Sequence, residues 1–162
     1  MKTCIITDVI SRDFEHALNV MDEFGLQFAE LQFVWDKEVG FLENTEVQKV
    51  NELLDLHQIK VSNICHHIFA GMPMTTKPGE PLHIQHLDRL KRCMEIAHAV
   101  GSPNVRILSP KKEQILFGAH GAEKWNVAKG AWDALLPIIA PALDIAKDAG
   151  KQLVVETGNG TC

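Results

Sequence analysis

Five short apolar runs, separated by helical stripes, constrain this chain more than any other feature. The runs are Cys4-Ile5-Ile6-Thr7, Phe28 to Val34 (FAELQFV), Val61 to Cys65 (VSNIC), Val105 to Leu108 (VRIL) and Leu153-Val154-Val155. Each has the length of a strand, and several are apolar on both faces, as buried parallel strands are. Between them, Phe14, Ala17, Leu18 and Met21 follow helical spacing, as do Val47, Val50 and Leu54. Leu87, Leu90, Met94 and Ala97 make a third stripe; Leu135, Leu136, Ile139, Leu143 and Ala146 make a fourth. Thr45 and Gln48 have capping-box spacing at the start of the second helix. Gly25, Gly101 and Gly150 stand where three helices should stop, while His57-Gln58 holds that place after the second. The order is β-α repeated four times and closed by a fifth strand. Such consecutive units imply parallel strands with right-handed crossovers.

Two architectures suit that order. One is a five-stranded doubly wound sheet. It would normally carry a helix over its last strand, and here only 157–162 follow. It would also favour a G-x-G-x-x-G after the first strand, where Ile6-Thr7-Asp8-Val9 stands. The other is a parallel TIM-type (β/α) barrel cut off after its fifth strand, since complete barrels need ~250 residues. The ending favours the barrel, with residues 1–162 as a single incomplete domain.

Length and composition narrow the function classes. A chain of 162 residues builds one core. Hydrophobic residues at 46% and charged residues at 23% are ordinary for a globular protein. The net charge of −5, with no basic run, argues against nucleic acid. No segment approaches the ~20 apolar residues of a membrane span, and the N-terminus lacks a signal-peptide pattern. The expected location is cytoplasmic. Cys4, Cys65, Cys93 and Cys162 form no CxxC pair and read as buried thiols.

Candidate chemistry gathers at predicted strand ends. Glu156 follows the last strand, where a barrel places catalytic groups. A carboxylate there can bind a divalent cation or take a proton beside a carbonyl. The bland alternative is a solvated glutamate capping the turn at Gly158 and Gly160. His66 and His67 follow the third strand, and alternation predicts that at most one faces a site. Either could contact a substrate hydroxyl; a structural histidine is the alternative. Glu30 and Gln32 share one strand face. Trp35 could stack on a sugar ring or simply pack. Arg106, inside an apolar strand, needs an anionic partner: Glu30, Glu156 or a substrate oxygen. The long segments 69–82 and 109–130 lie on the side of the strand C-termini and are read as a lid. Met72 and Met74 could pack within the first or only fill the loop. Lys111-Lys112-Glu113 and Lys147-Asp148 look like solvated faces. No Ser-His-Asp order, P-loop or HExxH is present.

With AELQFVWDKEVG at the second strand, VSNICHHIF at the third, VRIL at the fourth and LVVETGNGT at the fifth, the chain resembles the sugar phosphate isomerase/epimerase family. These are xylose isomerase-like TIM barrels, and the likeness covers about five-eighths of such a barrel. The resemblance implies a divalent metal (Mn, Mg, Co or Zn), with Glu156 in the place of a ligand and acid/base group. It implies that the other ligands and a second catalytic Glu come from later strands, absent here. It also implies a substrate-contacting role for His66 or His67. Many relatives carry a His just after the fifth-strand Glu, where this chain has Thr157-Gly158-Asn159. The implied reaction interconverts small sugars or sugar phosphates through an enediolate. A polyol dehydratase of the same barrel group and a non-catalytic α/β binding domain are the alternatives. A half-open barrel should be inactive alone and should self-associate as a homo-oligomer through its open edges.

Overall fold

The computed structural model describes residues 3–110 and 131–156. Its elements run β1 (Ile5–Ile6), α1 (Thr7–Ile10), α2 (Phe14–Glu23), β2 (Phe28–Leu31), β3 (Phe33–Val34) and β4 (Lys37–Glu38). Then come α3 (Asn44–Leu56), β5 (Lys60–Cys65), α4 (Pro81–Ala99), β6 (Asn104–Leu108), α5 (Ala131–Asp148) and β7 (Gln152–Glu156). Five strands form one parallel sheet in the order β1-β2-β5-β6-β7. That order never reverses, so successive right-handed crossovers leave their helices on one face. The doubly wound alternative requires a reversal and fails on this point. The architecture is that of a (β/α) barrel.

Register divides the sheet into two faces. Ala29, Leu31, Val61, Ile64, Val105 and Ile107 are fully buried or nearly so and pack beneath the helices. The opposite face carries Glu30, Asn63, Cys65, Asn104, Arg106 and Glu156, aligned by the pairings Glu30↔Asn63, Cys65↔Arg106 and Leu108↔Glu156. Barrel interiors are dominated by Val, Ile and Leu. This face is mixed, with Ile6, Leu108 and Val154 beside those polar groups.

The helices form where the stripes predict. Phe14, Ala17, Leu18 and Met21 are buried, and Asp13 caps α2 by accepting from the His16 N–H at 3.1 Å. Gly25, Gly101 and Gly150 all take positive φ just past helix ends. Gln58, at φ 54°, does the same after α3 without the help of a glycine.

Three expectations change. The α3 capping box is formed by Glu43 and Glu46, because the helix begins at Asn44; the Glu43 N–H donates to Glu46 at 2.8 Å. Thr45 and Gln48 already lie inside it. In α5 the buried stripe is Ile138, Ala142 and Ala146, so Leu136 and Leu143 point outward. The second strand stops at Leu31, because the Phe33 N–H leaves the ladder for the Asp8 carboxylate, 3.1 Å away. The chain then makes the hairpin β3–β4, whose two-residue turn has positive φ at both Trp35 (48°) and Asp36 (64°). That is the twist a tight hairpin needs.

Cys65 and Cys93 are buried free thiols, whereas Cys4 is exposed. In segment 69–82, Phe69, Met72 and Thr76 are buried and anchor the stretch, while residues 77–82 are exposed. Residues 111–130 and 157–162 lie outside the described residues. With them go the second proposed lid, Lys111-Lys112-Glu113, Cys162 and the turn at Gly158 and Gly160.

Candidate active site at the strand C-termini

Strands β5, β6 and β7 end side by side at Cys65, Leu108 and Glu156. Arg106, one turn of the pleat back from the end of β6, is only 6% exposed. Its Nη1 donates to Glu156 Oε2 in a tight ion pair. Of the partners open to it from sequence, the register selects Glu156. Glu156 itself remains half-exposed, at 52% of its side chain. The guanidinium therefore fixes a carboxylate that can still be reached. The Arg106 Nε is buried and finds no acceptor among the described residues.

Glu30 takes two thiol donors, Cys4 at 3.2 Å and Cys65 at 3.3 Å. Burial pushes the Cys65 thiol well above its ordinary value, and Glu30 adds to the effect while Arg106 opposes it. Cys65 is accordingly a thiol and a hydrogen-bond donor, not a nucleophile.

A second cluster forms around Glu38, which the sequence reading did not single out. Glu38 Oε1 accepts from the His67 backbone N–H at 2.8 Å and lies 2.5 Å from His67 Nδ1. Gln32 Nε2 lies 3.3 Å from His67 Nε2. The His67 side chain is 41% exposed. His66 Nδ1 also approaches Glu38 Oε1, at 3.1 Å, but the angle makes no hydrogen bond. His66 is 4% exposed, and burial, opposed by the Glu38 carboxylate, pulls its pKa down to about 4. At neutral pH it is uncharged, so this approach is not an ion pair. Its ring edge meets Phe41, and a Cβ on Gly40 would come within 3.1 Å of its Cε1 and 2.8 Å of Arg89 Cδ. Both residues lie past the end of β5, and both Nδ1 atoms approach one Glu38 oxygen, so the rings do not point to opposite faces; they differ in burial, His66 packed and His67 half-buried.

Trp35 sits apart from both clusters. Its indole N–H donates to Glu15 at 2.6 Å, its ring packs edge-on to Phe14, and Lys49 lies over it. All three partners belong to α2 and α3. Among the described residues no three His, Cys, Asp or Glu side chains gather to hold a metal ion. Glu156 is a carboxylate, a hard oxygen ligand of the kind a divalent cation takes, and the described residues alone do not compose a metal centre.

A parallel sheet in unbroken sequential order, with charged groups at its C-terminal end, is the arrangement of a (β/α)-barrel protein. The profile of the xylose isomerase-like TIM barrel family matches residues 18–162, and the chain belongs to that family. Solved structures agree on the fold. A D-tagatose 3-epimerase-like protein superposes with TM-score 0.66 at 14% identity, covering 99% of this chain and 55% of that one. D-psicose 3-epimerase, solved in the presence of D-fructose, gives 0.68 at 12% identity, covering 98% and 53%. The IOLI protein with a bound zinc atom gives 0.63 at 19% identity, covering 96% and 51%. This chain therefore spans about half the length of these structures. No curated protein sequence matches it. No described helix is long and apolar enough to cross a membrane.

Proposed function

We propose that this chain carries part of the site of a sugar isomerase or epimerase, acting on a small sugar or sugar phosphate by proton transfer beside a carbonyl. The observation that carries the reading is Glu156. It is a half-exposed carboxylate on the last strand tip, oriented by a nearly buried arginine. A base that removes a proton from carbon must be held in a fixed pose and yet be open to substrate, and the Arg106 pair provides both. Glu156 takes the proton from the carbon next to the carbonyl; the electron pair moves to the carbonyl oxygen, giving an enediolate. Return of the proton to the former carbonyl carbon, with the hydroxyl proton passing to the former carbonyl oxygen, isomerises the sugar; return to the opposite face of the original carbon epimerises it. Arg106 acts through Glu156 as a positioning group, and His67 contacts a substrate hydroxyl. A divalent metal (Mn, Mg, Co or Zn) held in part by Glu156 would polarise the carbonyl and its neighbouring hydroxyl.

Membership of the family, and a fold shared with a D-tagatose 3-epimerase-like protein and D-psicose 3-epimerase, support this reading. The test uses the complete protein that carries this chain, supplied with divalent metal and a panel of free and phosphorylated sugars in D2O. Deuterium should enter at carbon beside the carbonyl, and Glu156→Gln should slow that entry by roughly 10²–10⁴-fold. Absence of exchange with every sugar, or undiminished exchange in the folded variant, overturns the proposal.

A further inference from the structure

We propose that Glu38 is a positioning residue: it locks His67 in the Nδ1–H tautomer, so that Nε2 meets a hydroxyl of the sugar as an acceptor. This rests on the reading of the site above. An ionised carboxylate only accepts hydrogen bonds. With Glu38 Oε1 at 2.5 Å from His67 Nδ1, the ring proton belongs on Nδ1. The same oxygen holds the His67 backbone N–H at 2.8 Å, which fixes the ring relative to the strand end. In the neutral ring Nε2 then carries a lone pair, and its neighbour Gln32 points an amide nitrogen at it from 3.3 Å. That contact is long enough for a substrate hydroxyl to share or replace it.

The support for Glu38 is independent of β5. It stands on β4, opposite Phe33, and the Val39 N–H bonds back to Gln32 O at 2.8 Å. The hairpin thereby brings its carboxylate and the Gln32 amide to opposite nitrogens of one ring. His66 does not compete for Glu38, since it makes no hydrogen bond to it and is sealed under Phe41. Free histidine favours no such single tautomer as strongly, and a fixed acceptor discriminates sharply between a hydroxyl and its absence.

Two measurements on the complete protein test the inference. Long-range ¹H–¹⁵N correlation should show the uncharged form of His67 with Nδ1 protonated and Nε2 bare. Glu38→Ala should mix the tautomers; Glu38→Gln, which keeps an acceptor oxygen, should retain the lock in part and serves if the alanine variant misfolds. In sugar exchange, Glu38→Ala should raise KM about tenfold with kcat nearly kept, and should lose the wild-type preference for a sugar over its deoxy analogue. A protonated Nε2 in the uncharged wild-type ring, or unchanged tautomer and selectivity in both variants, overturns the role of Glu38. Failure of every sugar to exchange would instead sink the functional reading, and the tautomer measurement would still decide the Glu38–His67 lock.

Discussion

His66 shows how much one buried ring can weigh. Its folded pKa lies near 4 against 6.5 for an ordinary histidine, because burial outweighs the pull of Glu38. Arg89, His67 and His86 push the same way as burial. Above pH ~6.5 the ring is neutral in both folded and unfolded chains and contributes no pH dependence. As pH falls below that, the unfolded chain takes the proton first, so stability is lost down to about pH 4. The ceiling is about 3 kcal/mol. Urea denaturation between pH 7 and 4 should show the loss, and His66→Gln should flatten it; an equally steep profile in the variant would refute the assignment. At this scale the sequence was partly legible. A buried Arg106 announced that it needed an anion, but choosing Glu156 over Glu30 took the strand register. Glu38 gave no local signal, because its partners are 29 residues away across a hairpin that the apolar run concealed.

Among the elements, α4 fastens the segment that follows β5. His83 is buried; its Nδ1 accepts from the Gly79 N–H at 3.1 Å, so its Nε2–H donates to Ile138 O on α5 at 2.9 Å. Its ring stacks on Phe69, and the Phe69 N–H donates to His86 Nδ1 at 3.1 Å. His83→Phe keeps an aromatic ring against Phe69 but leaves the Gly79 N–H without its acceptor and removes the ring donor from the Ile138 carbonyl. It should cost about 1–3 kcal/mol in denaturant melts and speed amide exchange at Gly79. No loss of stability would mean that water replaces the ring. Helix stripes and their glycine stops were readable because period and backbone freedom are local. The outward turn of Leu136 and Leu143 was not, since several apolar residues of α5 compete for one buried face and only α4 and the sheet decide which wins.

For the whole molecule, the sheet ends at β1 and β7, and Leu136, Leu143 and Val155 are exposed, at 61%, 55% and 54%. Apolar surface beside an open strand edge favours association. The purified 162-residue chain is expected to sediment above monomer mass across a concentration series and to show no sugar turnover. Leu136→Lys combined with Val155→Lys should shift it toward monomer. A wild-type chain that stays monomeric, or turns over sugar, would refute this expectation. Strand order was legible here because βα repeats leave few topologies, whereas the mixed inner face emerged only from pairing.

The β3–β4 hairpin has one more consequence. Its strands pair only with each other among the described residues, so Glu38 is delivered from outside the barrel frame. Shear and tilt of the main sheet do not set its reach; a two-residue turn does. Val34 sits in the core and the Phe33 and Trp35 N–H groups bond to Asp8 and Arg12 O, so the body of the hairpin is tied to the frame. Glu38, at its end, is the position where a change alters what faces His67 without touching a strand of the main sheet.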